Sequence, residues 1–487
     1  MPEARVDGMA SEAAVNELGA SLRGVLIRPG DRDYDQARKV YNAMIDRRPA
    51  LIARCADVAD VISCVGFARE NRLALSIFGG GHNAGGLGAC DDGLMVDLSR
   101  LKGIRVDPEA QTVRVEAGCT WADVDHATHA FGFATPSGII SSTGVGGLTL
   151  GGGMGHLTRK FGLTVDNLLE ADVVLADGRL VKASATQNED LFWGLRGGGG
   201  NFGVVTSFLF RLHPVATIVG GPTLWELDQA EEVMRWYREF IVSAPEDLNG
   251  FFAFLTVPPA PPFPEELHMK KMCGVVWCYT GPEERADEVF EPIRQFGPPA
   301  LHGVHPMPFP ALQSAFDGLY PPGLQWYWKA DFVTELSDEA IRLHVQHGGQ
   351  LPTMHSTMHL YPIDGAAHRV GMNDTAFSYR DANWSAVMVG VDPDPANTEL
   401  IREWSKAYWE ALHPYSAPGA YVNFMMDDEG QARVEAAYRD NYPRLVEVKK
   451  RYDPQNLFHL NQNIRPGGNP IVPVDSEGSS TVSRPGK

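Results

Sequence analysis

The feature that most constrains this chain is a set of four glycine-rich segments. They read FGGGHNAGG (78–86), GVGGLTLGGGMG (144–155), RKFGLTVDN (159–167) and LRGGGGNFGVVT (195–206). Glycine lets the backbone approach a ligand closely, and successive backbone N–H groups in such loops bind anions. Four loops together indicate a large phosphate-bearing ligand, such as a dinucleotide, that is contacted along its length. The alternative is that these glycines only form turns.

The order of elements around the last segment argues against a Rossmann nucleotide site. Gly198, Gly200 and Gly203 match the pattern G-x-G-x-x-G, which in a Rossmann fold follows a strand and opens a helix. Here the helical stretch DLFWGL precedes the glycines, and the β-branched stretch VVTSFLF follows them. Because this order is reversed, we exclude a nicotinamide site of the Rossmann type.

Helices and strands alternate over the first part of the chain. Residues 58–71 have the apolar spacing of a helix, LALSIF (73–78) is typical of a strand, and 171–184 of a hairpin with an Asp-Gly turn. Beyond about residue 216, aromatic stretches such as QWYWKADFVTEL and SAVMVGVDP alternate as strands do. This part is predicted to be a sheet with helices on one side.

Composition disfavours several classes of partner. Lysine and arginine number 42 against 61 aspartates and glutamates, a formal net charge of −19, whereas nucleic acids and anionic membranes attract basic surfaces. No apolar run is long enough to span a bilayer, and the N-terminus lacks the pattern of a signal peptide. The six cysteines include no CxxC pair. We therefore predict a cytoplasmic protein with reduced thiols.

Several histidine pairs are spaced as metal ligands sometimes are, namely His302/His305, His344/His347 and His355/His359. None belongs to an HExxH motif or lies near a cysteine cluster, so we predict no metal site. No G-x-S-x-G motif is present, so acyl transfer has no local support.

The glycine segments and the C-terminal part resemble one family. The motifs are GGGHNAGG, TGVGGLTLGGGMGHLTRKFGLTVDNL, DLFWGLRGGGGNFGVVT, and YVNF followed by NYPRLVEVKKRYDPQNLFHLNQNI. In this order they are similar to the FAD-linked oxidases of the berberine bridge enzyme-like group, which belongs to the vanillyl-alcohol oxidase superfamily. The resemblance covers about residues 34 to 466.

This resemblance implies an α+β fold in two parts. An FAD-binding domain of the para-cresol methylhydroxylase (PCMH) type would span residues 34–215 and be completed by a berberine-bridge-type segment, 421–466, that returns to it. Between them, residues 216–420 would form a substrate-binding domain, an antiparallel sheet backed by helices. Residues 1–33 are an N-terminal segment, and the tail 467–487, which is rich in Pro, Gly and Ser, is expected to be disordered.

His82, within the first glycine segment, has two interpretations on local sequence alone. A neutral imidazole can be alkylated by the 8α-methyl group of a flavin, or it can hydrogen-bond a phosphate. The resemblance implies the first, an 8α-histidyl bond to FAD. The best-known relatives carry a second link from a cysteine, whose place here is taken by Ile140. We therefore predict one covalent bond, as in the 6-hydroxynicotine oxidase type.

The resemblance also implies the other FAD contacts. They are Gly79, Gly80, Gly81, Asn83, Gly85, Thr143, Gly144, Gly146, Gly147, Gly151, Gly152, Gly153, Gly155, Asp166, Asn167, Gly200, Asn201, Gly203, Val204, Val205, Asn461 and Asn463. In this family the position of Thr143 is thought to govern access of oxygen to the flavin. A side chain of this size there resembles oxidases more than dehydrogenases.

Three residues are predicted to be catalytic. Tyr421 and Asn423 match the family's Y-x-N motif, whose tyrosine serves as a base or assists one, and their spacing places both on one face of a predicted strand. A free tyrosine titrates near about pH 10, so a nearby cation would have to lower its pKa. By resemblance, Lys329 is the candidate. The alternatives are a packed tyrosine and a surface lysine.

The implied reaction transfers a hydride from a carbon of an alcohol, amine or sugar to flavin N5, and dioxygen then reoxidises the flavin with release of hydrogen peroxide. The alternatives are a flavin dehydrogenase with another acceptor and a flavin-binding protein without redox turnover. The expected partners are a small-molecule substrate and O2, with no nucleic acid and no membrane, and the sequence leaves the oligomeric state open. The alternating Trp326, Trp328, Trp384 and Met388 could line the substrate pocket or belong to a core.

Overall fold

The computed structural model describes residues 10–467, so nearly all of the predicted disordered tail lies outside the described residues. The strands, numbered in chain order, are β1 (Val25–Ile27), β2 (Leu51–Arg54), β3 (Leu75–Phe78), β4 (Leu94–Asp97), β5 (Ile104–Asp107), β6 (Thr112–Glu116), β7 (Phe133–Ala134), β8 (Leu168–Val174), β9 (Leu180–Ser184), β10 (Val204–Arg211), β11 (His213–Pro214), β12 (Thr217–Glu226), β13 (Leu248–Thr256), β14 (Lys271–Tyr279), β15 (Leu301–His302), β16 (His305–Pro308), β17 (Gln325–Val333), β18 (Thr357–Pro362) and β19 (Trp384–Asp392).

The α-helices, numbered in the same way, are α1 (Glu12–Ser21), α2 (Tyr34–Ala37), α3 (Val58–Asn71), α4 (Trp121–His129), α5 (Val145–Gly151), α6 (Thr158–Phe161), α7 (Glu189–Leu195), α8 (Ala230–Ser243), α9 (Ala286–Gln295), α10 (Phe309–Gln313), α11 (Asp338–Gly348), α12 (Thr398–Leu412), α13 (Gln431–Tyr438) and α14 (Tyr442–Tyr452).

The first part of the chain builds two main sheets. One has the order β1-β2-β4-β3, in which β2, β4 and β3 are parallel and β1 is antiparallel to β2. The other has the order β5-β6-β10-β8-β9 and is antiparallel throughout. It contains the predicted hairpin as β8 and β9. Together with the third sheet below, these elements confirm the predicted α+β fold class.

The first glycine segment is positioned by the helix and strand that precede it. The carboxylate of Asp57 accepts hydrogen bonds from the amides of Ala59 and Asp60 and so begins α3. The helix ends at Asn71, where Arg72 takes the left-handed conformation with φ of 55°. Strand β3 then leads directly into the glycines that begin at Gly79.

The middle of the chain forms an eight-stranded antiparallel sheet in the order β15-β12-β14-β13-β18-β19-β17, with β16 also paired to β12. Helices α8, α9, α11 and α12 pack on one face and share a core with it, to which Tyr237, Met388 and Tyr408 belong. The opposite face, which includes Trp326 and Tyr361, packs against the first part of the chain. The predicted sheet with helices on one side is therefore confirmed, while the domain boundaries stay predictions.

The C-terminal segment returns to the first part of the chain through a buried lysine. The ammonium group of Lys449 donates to the carbonyls of Asn201 and Phe458 at 2.7 and 2.9 Å and pairs with Asp453 at 2.7 Å. The amide of Ile464 then donates to the side chain of Asn201 at 2.9 Å. These contacts fix residues 458–464 beside the last glycine segment.

Candidate active site

A cavity of about 340 Å³ lies between the glycine segments and the open face of the eight-stranded sheet. This volume is in the range of small-molecule and cofactor sites. Its wall is formed by residues of the loops 79–83, 138–150 and 199–205, by the C-terminal residues 458–462, and by side chains of β17, β18 and β19. The structure thus joins at one cavity segments that are far apart in the sequence.

Most of the residues singled out from the sequence line this cavity. They are Gly79, Gly80, Gly81, His82, Asn83, Thr143, Gly144, Gly146, Gly147, Gly200, Asn201, Gly203, Val204, Val205, Tyr421, Asn423 and Asn461. Ile140, which stands at the place of the second covalent link, lines it as well.

Five of the glycines that are predicted to contact the cofactor lie behind the cavity wall instead of in it. They are Gly85, Gly151, Gly152, Gly153 and Gly155. Their function is close packing, because an added Cβ would lie 2.3 Å from the side chain of Asn423 at Gly151 and 2.3 Å from the carbonyl of Ser137 at Gly155.

The predicted contacts Asp166, Asn167 and Asn463 also lie outside the cavity wall. Asp166 forms an ion pair with the buried Arg380 at 2.7 Å. The side-chain amide of Asn167 donates to two backbone carbonyls, and its oxygen is hydrogen-bonded to Nε2 of His213 at 2.6 Å. Asn463 does not reach the cavity wall, although its neighbour Asn461 does. Arg380, 214 positions from Asp166, and His213, 46 positions from Asn167, therefore help to hold these two side chains away from the cavity.

Lys329, which is predicted to act on Tyr421, does not line the cavity. Side chains alternate across strand β17, and Trp326 and Trp328 line the cavity, whereas Lys329 lies on the other face. Its ammonium group pairs with Asp428 at 2.9 Å and Glu429 at 2.8 Å. It is buried rather than at the surface, but it does not act on Tyr421.

Tyr421 and Asn423 meet at the cavity, although not on a strand as predicted. Tyr421 precedes a short 3-10 turn, Val422–Phe424. The side-chain amide of Asn423 donates to the Tyr421 hydroxyl at 2.7 Å, and the backbone amide of Gly153 donates to it at 2.8 Å. Burial raises the pKa of Tyr421, and the two hydrogen bonds partly oppose that rise.

His82 is held in a defined orientation within the first glycine segment. Its ring stacks on Tyr41 with a centroid distance of 3.7 Å and an interplanar angle of 22°. Nε2 lies 3.1 Å from the hydroxyl of Ser142. Burial lowers the pKa of His82 to about 3, so the imidazole is neutral at physiological pH. A neutral, oriented imidazole is suited to act as a nucleophile.

Sequence reasoning missed several residues of the site. Tyr41 and Ser142 carried no motif signal, while Gln462 lines the cavity and lies within the LNQNI motif between two asparagines that were chosen. His359 was considered only as a metal ligand, and Tyr361 was not considered. The alternation of polar and apolar residues along β18 could have placed these two on the cavity face.

Of the four aromatic and sulfur side chains left open by the sequence, two belong to the site. Trp326 and Trp328 line the cavity, whereas Trp384 and Met388 belong to the core beneath the helices. Within residues 10–467, no group of three or more His, Cys, Asp or Glu side chains is arranged to hold a metal ion. Over the same range, every helix is too short or too polar to cross a membrane.

The cavity wall fits a flat dinucleotide. A Cβ built at Gly147 or Gly200 meets no protein atom within 4 Å, so any side chain at these positions would reduce the space that glycine leaves open. In the described part of the chain, the backbone amides of residues 80–83 donate to no protein acceptor, which leaves them for phosphate. Gly81 has φ of 66°, a left-handed conformation that residues with a side chain rarely adopt.

A glycine-walled cavity that faces the side chains of a large sheet is typical of a cofactor-binding site. Family models give the same result and name the cofactor. Residues 49–184 match the FAD binding domain, and residues 420–465 match the segment described as berberine and berberine like.

Full-length relatives extend the match to almost the whole chain. An FAD-linked oxidoreductase of Dictyostelium discoideum is 32% identical over 93% of this chain and 97% of the relative. The (R)-6-hydroxynicotine oxidase of Paenarthrobacter nicotinovorans is 28% identical over 92% and 98%. The crystal structure of 6-hydroxy-D-nicotine oxidase from Arthrobacter nicotinovorans superposes with a TM-score of 0.82 at 24% identity, covering 92% of this chain and 99% of that one.

The chain therefore belongs to the berberine bridge enzyme-like FAD-linked oxidoreductases. It is an oxidoreductase that binds FAD.

Proposed function

We propose that this protein is an oxidase that removes a hydride from a carbon of an alcohol, amine or sugar. When bound, FAD accepts the hydride at N5 and passes the electrons to dioxygen, which yields hydrogen peroxide. The observation that carries the proposal is that an oriented neutral imidazole, His82, and a hydrogen-bonded phenol, Tyr421, line the same glycine-walled cavity. Cofactor attachment and proton removal from the substrate thereby have separate groups in one site.

His82 is the proposed point of covalent attachment. Its Nε2 is engaged by Ser142 at 3.1 Å, whereas Nδ1 has no partner among residues 10–467, so we assign the bond to Nδ1 and the flavin 8α-carbon. Ile140 lines the cavity and cannot form a thioether. None of the six cysteines, all of which lie in the described range, lines the cavity. A single link is therefore proposed.

Tyr421 is the proposed proton acceptor. Its oxygen accepts hydrogen bonds from the Gly153 amide and from Asn423, and both bonds strengthen when the phenol becomes a phenolate. Burial raises its pKa, so the reactive phenolate is a minor fraction at neutral pH. Asn423 is assigned the role of holding the phenolate.

Dioxygen is the proposed electron acceptor, supported by the small side chain of Thr143 in the cavity wall. Stoichiometric hydrogen peroxide during turnover is the expected result. Turnover that depends on an added dye, with little peroxide, would instead establish a dehydrogenase. Flavin that no substrate reduces would establish a protein without redox turnover.

The decisive experiment on the cofactor is acid precipitation of purified protein, followed by inspection of flavin fluorescence in a denaturing gel. We expect wild type to retain a yellow, fluorescent band and His82→Ala to lose it. His126→Ala is the matched control, because His126 is exposed on α4. A colourless wild-type pellet from protein supplied with FAD would overturn the covalent link.

We further propose a reducing, cytoplasmic setting with a small-molecule substrate and O2 as the partners. All six cysteines are buried and free, and the closest sulfurs, those of Cys55 and Cys64, lie 4.0 Å apart. The net charge of −19 disfavours nucleic acid and anionic membranes.

A further inference from the structure

The substrate-facing wall of the cavity carries no formal charge. Among residues 10–467, the cavity is lined by no lysine, arginine, aspartate or glutamate. Lys329 is adjacent in sequence to Trp328, which lines the wall, but it does not line the wall itself. It forms ion pairs with Asp428 and Glu429, which also lie away from the wall. Burying an isolated charge without a partner is costly. A carboxylate, or an amine protonated at neutral pH, is therefore disfavoured as the substrate.

The same wall is aromatic and apolar. Trp328 and Phe424 meet edge to face at 6.0 Å, and Tyr361 lies 5.9 Å from Phe424. Val387 and Val389 complete this surface on β19. Aromatic rings prefer to stack on, or pack edge to face with, other rings. A sugar would bury several hydroxyls against this surface without partners, at a cost for each.

Besides Thr357, whose hydroxyl is already used in a hydrogen bond to the carbonyl of Phe254, one hydrogen-bonding pair interrupts the apolar surface of β18. His359 and Tyr361 lie two apart on β18, both line the cavity, and Nδ1 of His359 is 2.6 Å from the Tyr361 hydroxyl. Both side chains are more than nine-tenths buried. Tyr361 thereby fixes the imidazole ring, and Nε2 has no partner among the described residues. Burial lowers the pKa of His359 to about 3, which keeps the ring neutral.

Both tautomers of this pair suit an alcohol. If Nδ1 accepts from the tyrosine, Nε2 is a donor, and if Nδ1 donates, Nε2 is an acceptor. A substrate hydroxyl can bind to either form, but only the form in which Nε2 donates leaves the single hydroxyl proton free for transfer to Tyr421.

We propose that the cavity takes an uncharged aromatic alcohol, whose ring packs against Trp328 and Phe424 and whose hydroxyl binds Nε2 of His359. This inference rests on the proposed function for its chemistry. The carbinol hydrogen leaves as a hydride to FAD, the hydroxyl proton goes to the phenolate of Tyr421, and the carbon–oxygen single bond becomes a carbonyl. His359 and Tyr361 determine specificity by binding and orienting the hydroxyl.

The test measures binding separately from turnover, using calorimetry on anaerobic holoenzyme whose flavin has already been reduced and therefore cannot accept a hydride. The probes are naphthylmethanol, its ring-carboxylated derivative, naphthylmethylamine, methylnaphthalene and cellobiose. We expect naphthylmethanol to bind at least about fivefold more tightly than each of the others, the factor that corresponds to the ~1 kcal/mol contributed by one neutral hydrogen bond. Equal or tighter binding of the carboxylate, the amine or cellobiose would overturn the proposal.

Variants assign the hydroxyl contact. We expect His359→Phe to weaken the binding of naphthylmethanol about fivefold and that of methylnaphthalene little, while His359→Gln, which can present an amide near Nε2, recovers part of the loss. Tyr361→Phe should weaken the binding of naphthylmethanol by a smaller factor. The matched control is Tyr408→Phe, which removes a similar buried bond to His344, 2.9 Å long, on the helix side of the sheet. Equal losses for both naphthalenes in His359→Phe would overturn the role of His359.

The binding result and the turnover result separate the two proposals. Selective, His359-dependent binding without flavin reduction by any alcohol supports the substrate-binding inference and refutes the oxidase proposal. Flavin reduction by cellobiose or by an amine, with no preference for naphthylmethanol, supports oxidation and refutes the substrate class.

Discussion

Tyr41 lies almost flat on His82, with ring centroids 3.7 Å apart. Three contacts fix Tyr41 in turn, since its backbone amide donates to the carbonyl of Gly81 at 2.9 Å, its hydroxyl donates to the carbonyl of Tyr320, and its ring lies 5.2 Å from that of Trp326. A residue from the start of the predicted FAD domain therefore holds the imidazole against rotation.

The stack on His82 predicts that Tyr41 aids covalent attachment of FAD. We expect Tyr41→Ala to slow attachment roughly fivefold, corresponding to ~1 kcal/mol of lost ring contact, and Tyr41→Phe to retain most of the rate. The measurement is the time course of flavin fluorescence in denaturing gels after FAD is added to apoprotein. Equal slowing in both variants would mean that the hydroxyl of Tyr41, and not its stacked ring, promotes covalent attachment.

Tyr421 should give the reaction a rising dependence on pH. Because burial raises the pKa of the phenol above its ordinary 10.0, the phenolate fraction, and with it kcat, is expected to increase up to at least about pH 10. Tyr421→Phe should lower kcat roughly 10²- to 10⁴-fold and remove this slope. Stopped-flow flavin reduction measures the step directly.

Tyr408→Phe serves as the control for Tyr421→Phe. Tyr408 is equally buried but lies in the core beneath the helices, so its variant should keep the slope. A wild-type plateau well below pH 10, or a slope that persists in Tyr421→Phe, would contradict the assignment.

Lys449 should be essential for docking the C-terminal segment. Lys449 and Asp453 are both 0% exposed, so Lys449→Met would leave a buried carboxylate unpaired and two carbonyls without their donor. We expect a loss of ~3–5 kcal/mol in the free energy of unfolding and weaker retention of FAD in protein that lacks the covalent link. Denaturant unfolding measures the first effect and filtration of His82→Ala protein the second.

Lys450 provides a matched comparison one residue away. Its pair with Glu447 is exposed, with side-chain exposures of 44% and 71%, so Lys450→Met should cost less than about 1 kcal/mol. Similar losses for the two lysine variants would refute a special function for the buried pair.

Buried histidines should make the protein sensitive to mild acid. Burial lowers the pKa values of His156 and His344 to about 3, whereas in the unfolded chain they titrate near about 6.5. As the pH falls below about 6.5, the unfolded state takes up protons that the folded state cannot. The contribution of each such histidine to the free energy of unfolding is therefore fully present above that pH. It decreases by ~1.4 kcal/mol per pH unit below it, down to about pH 3.

His156 allows this acid sensitivity to be tested at one site. Both of its ring nitrogens lack partners within the described residues, so His156→Leu removes a titrating group without breaking a hydrogen bond. We expect the variant to be as stable as wild type at neutral pH and to lose less stability between about pH 6.5 and 5. Parallel pH profiles from urea unfolding would show that His156 is not responsible.

The parts of the fold that could be predicted are those set by neighbouring residues. The bounds of α3 follow from apolar spacing and the Asp57 cap, and the hairpin of β8 and β9 follows from its Asp-Gly turn. The glycine segments were recognisable because a bare backbone is a property of the residue itself. In the same way, the place of Ile140 in its motif was visible without any structure.

The predicted site residues that lie away from the cavity are those whose side-chain direction depends on distant partners. Asp166 turns to Arg380, which is 214 positions away. Lys329 pairs with residues about a hundred positions away, 99 to Asp428 and 100 to Glu429. Tyr421 and Asn423 meet because a short helical turn, rather than a strand pleat, brings their side chains together.

The sequence by itself determined that a glycine-lined site exists, that His82 stands in it and that isoleucine occupies position 140, because these depend on residue type and local spacing. Only the tertiary structure decided which face of β17 meets the cavity and that Tyr41 covers His82. It also decided that His359 and Tyr361 form a hydrogen-bonded pair in an otherwise uncharged wall. These relationships depend on how sheets and loops pack across long separations in the chain, where burial and hydrogen-bond satisfaction select one arrangement that no local pattern encodes.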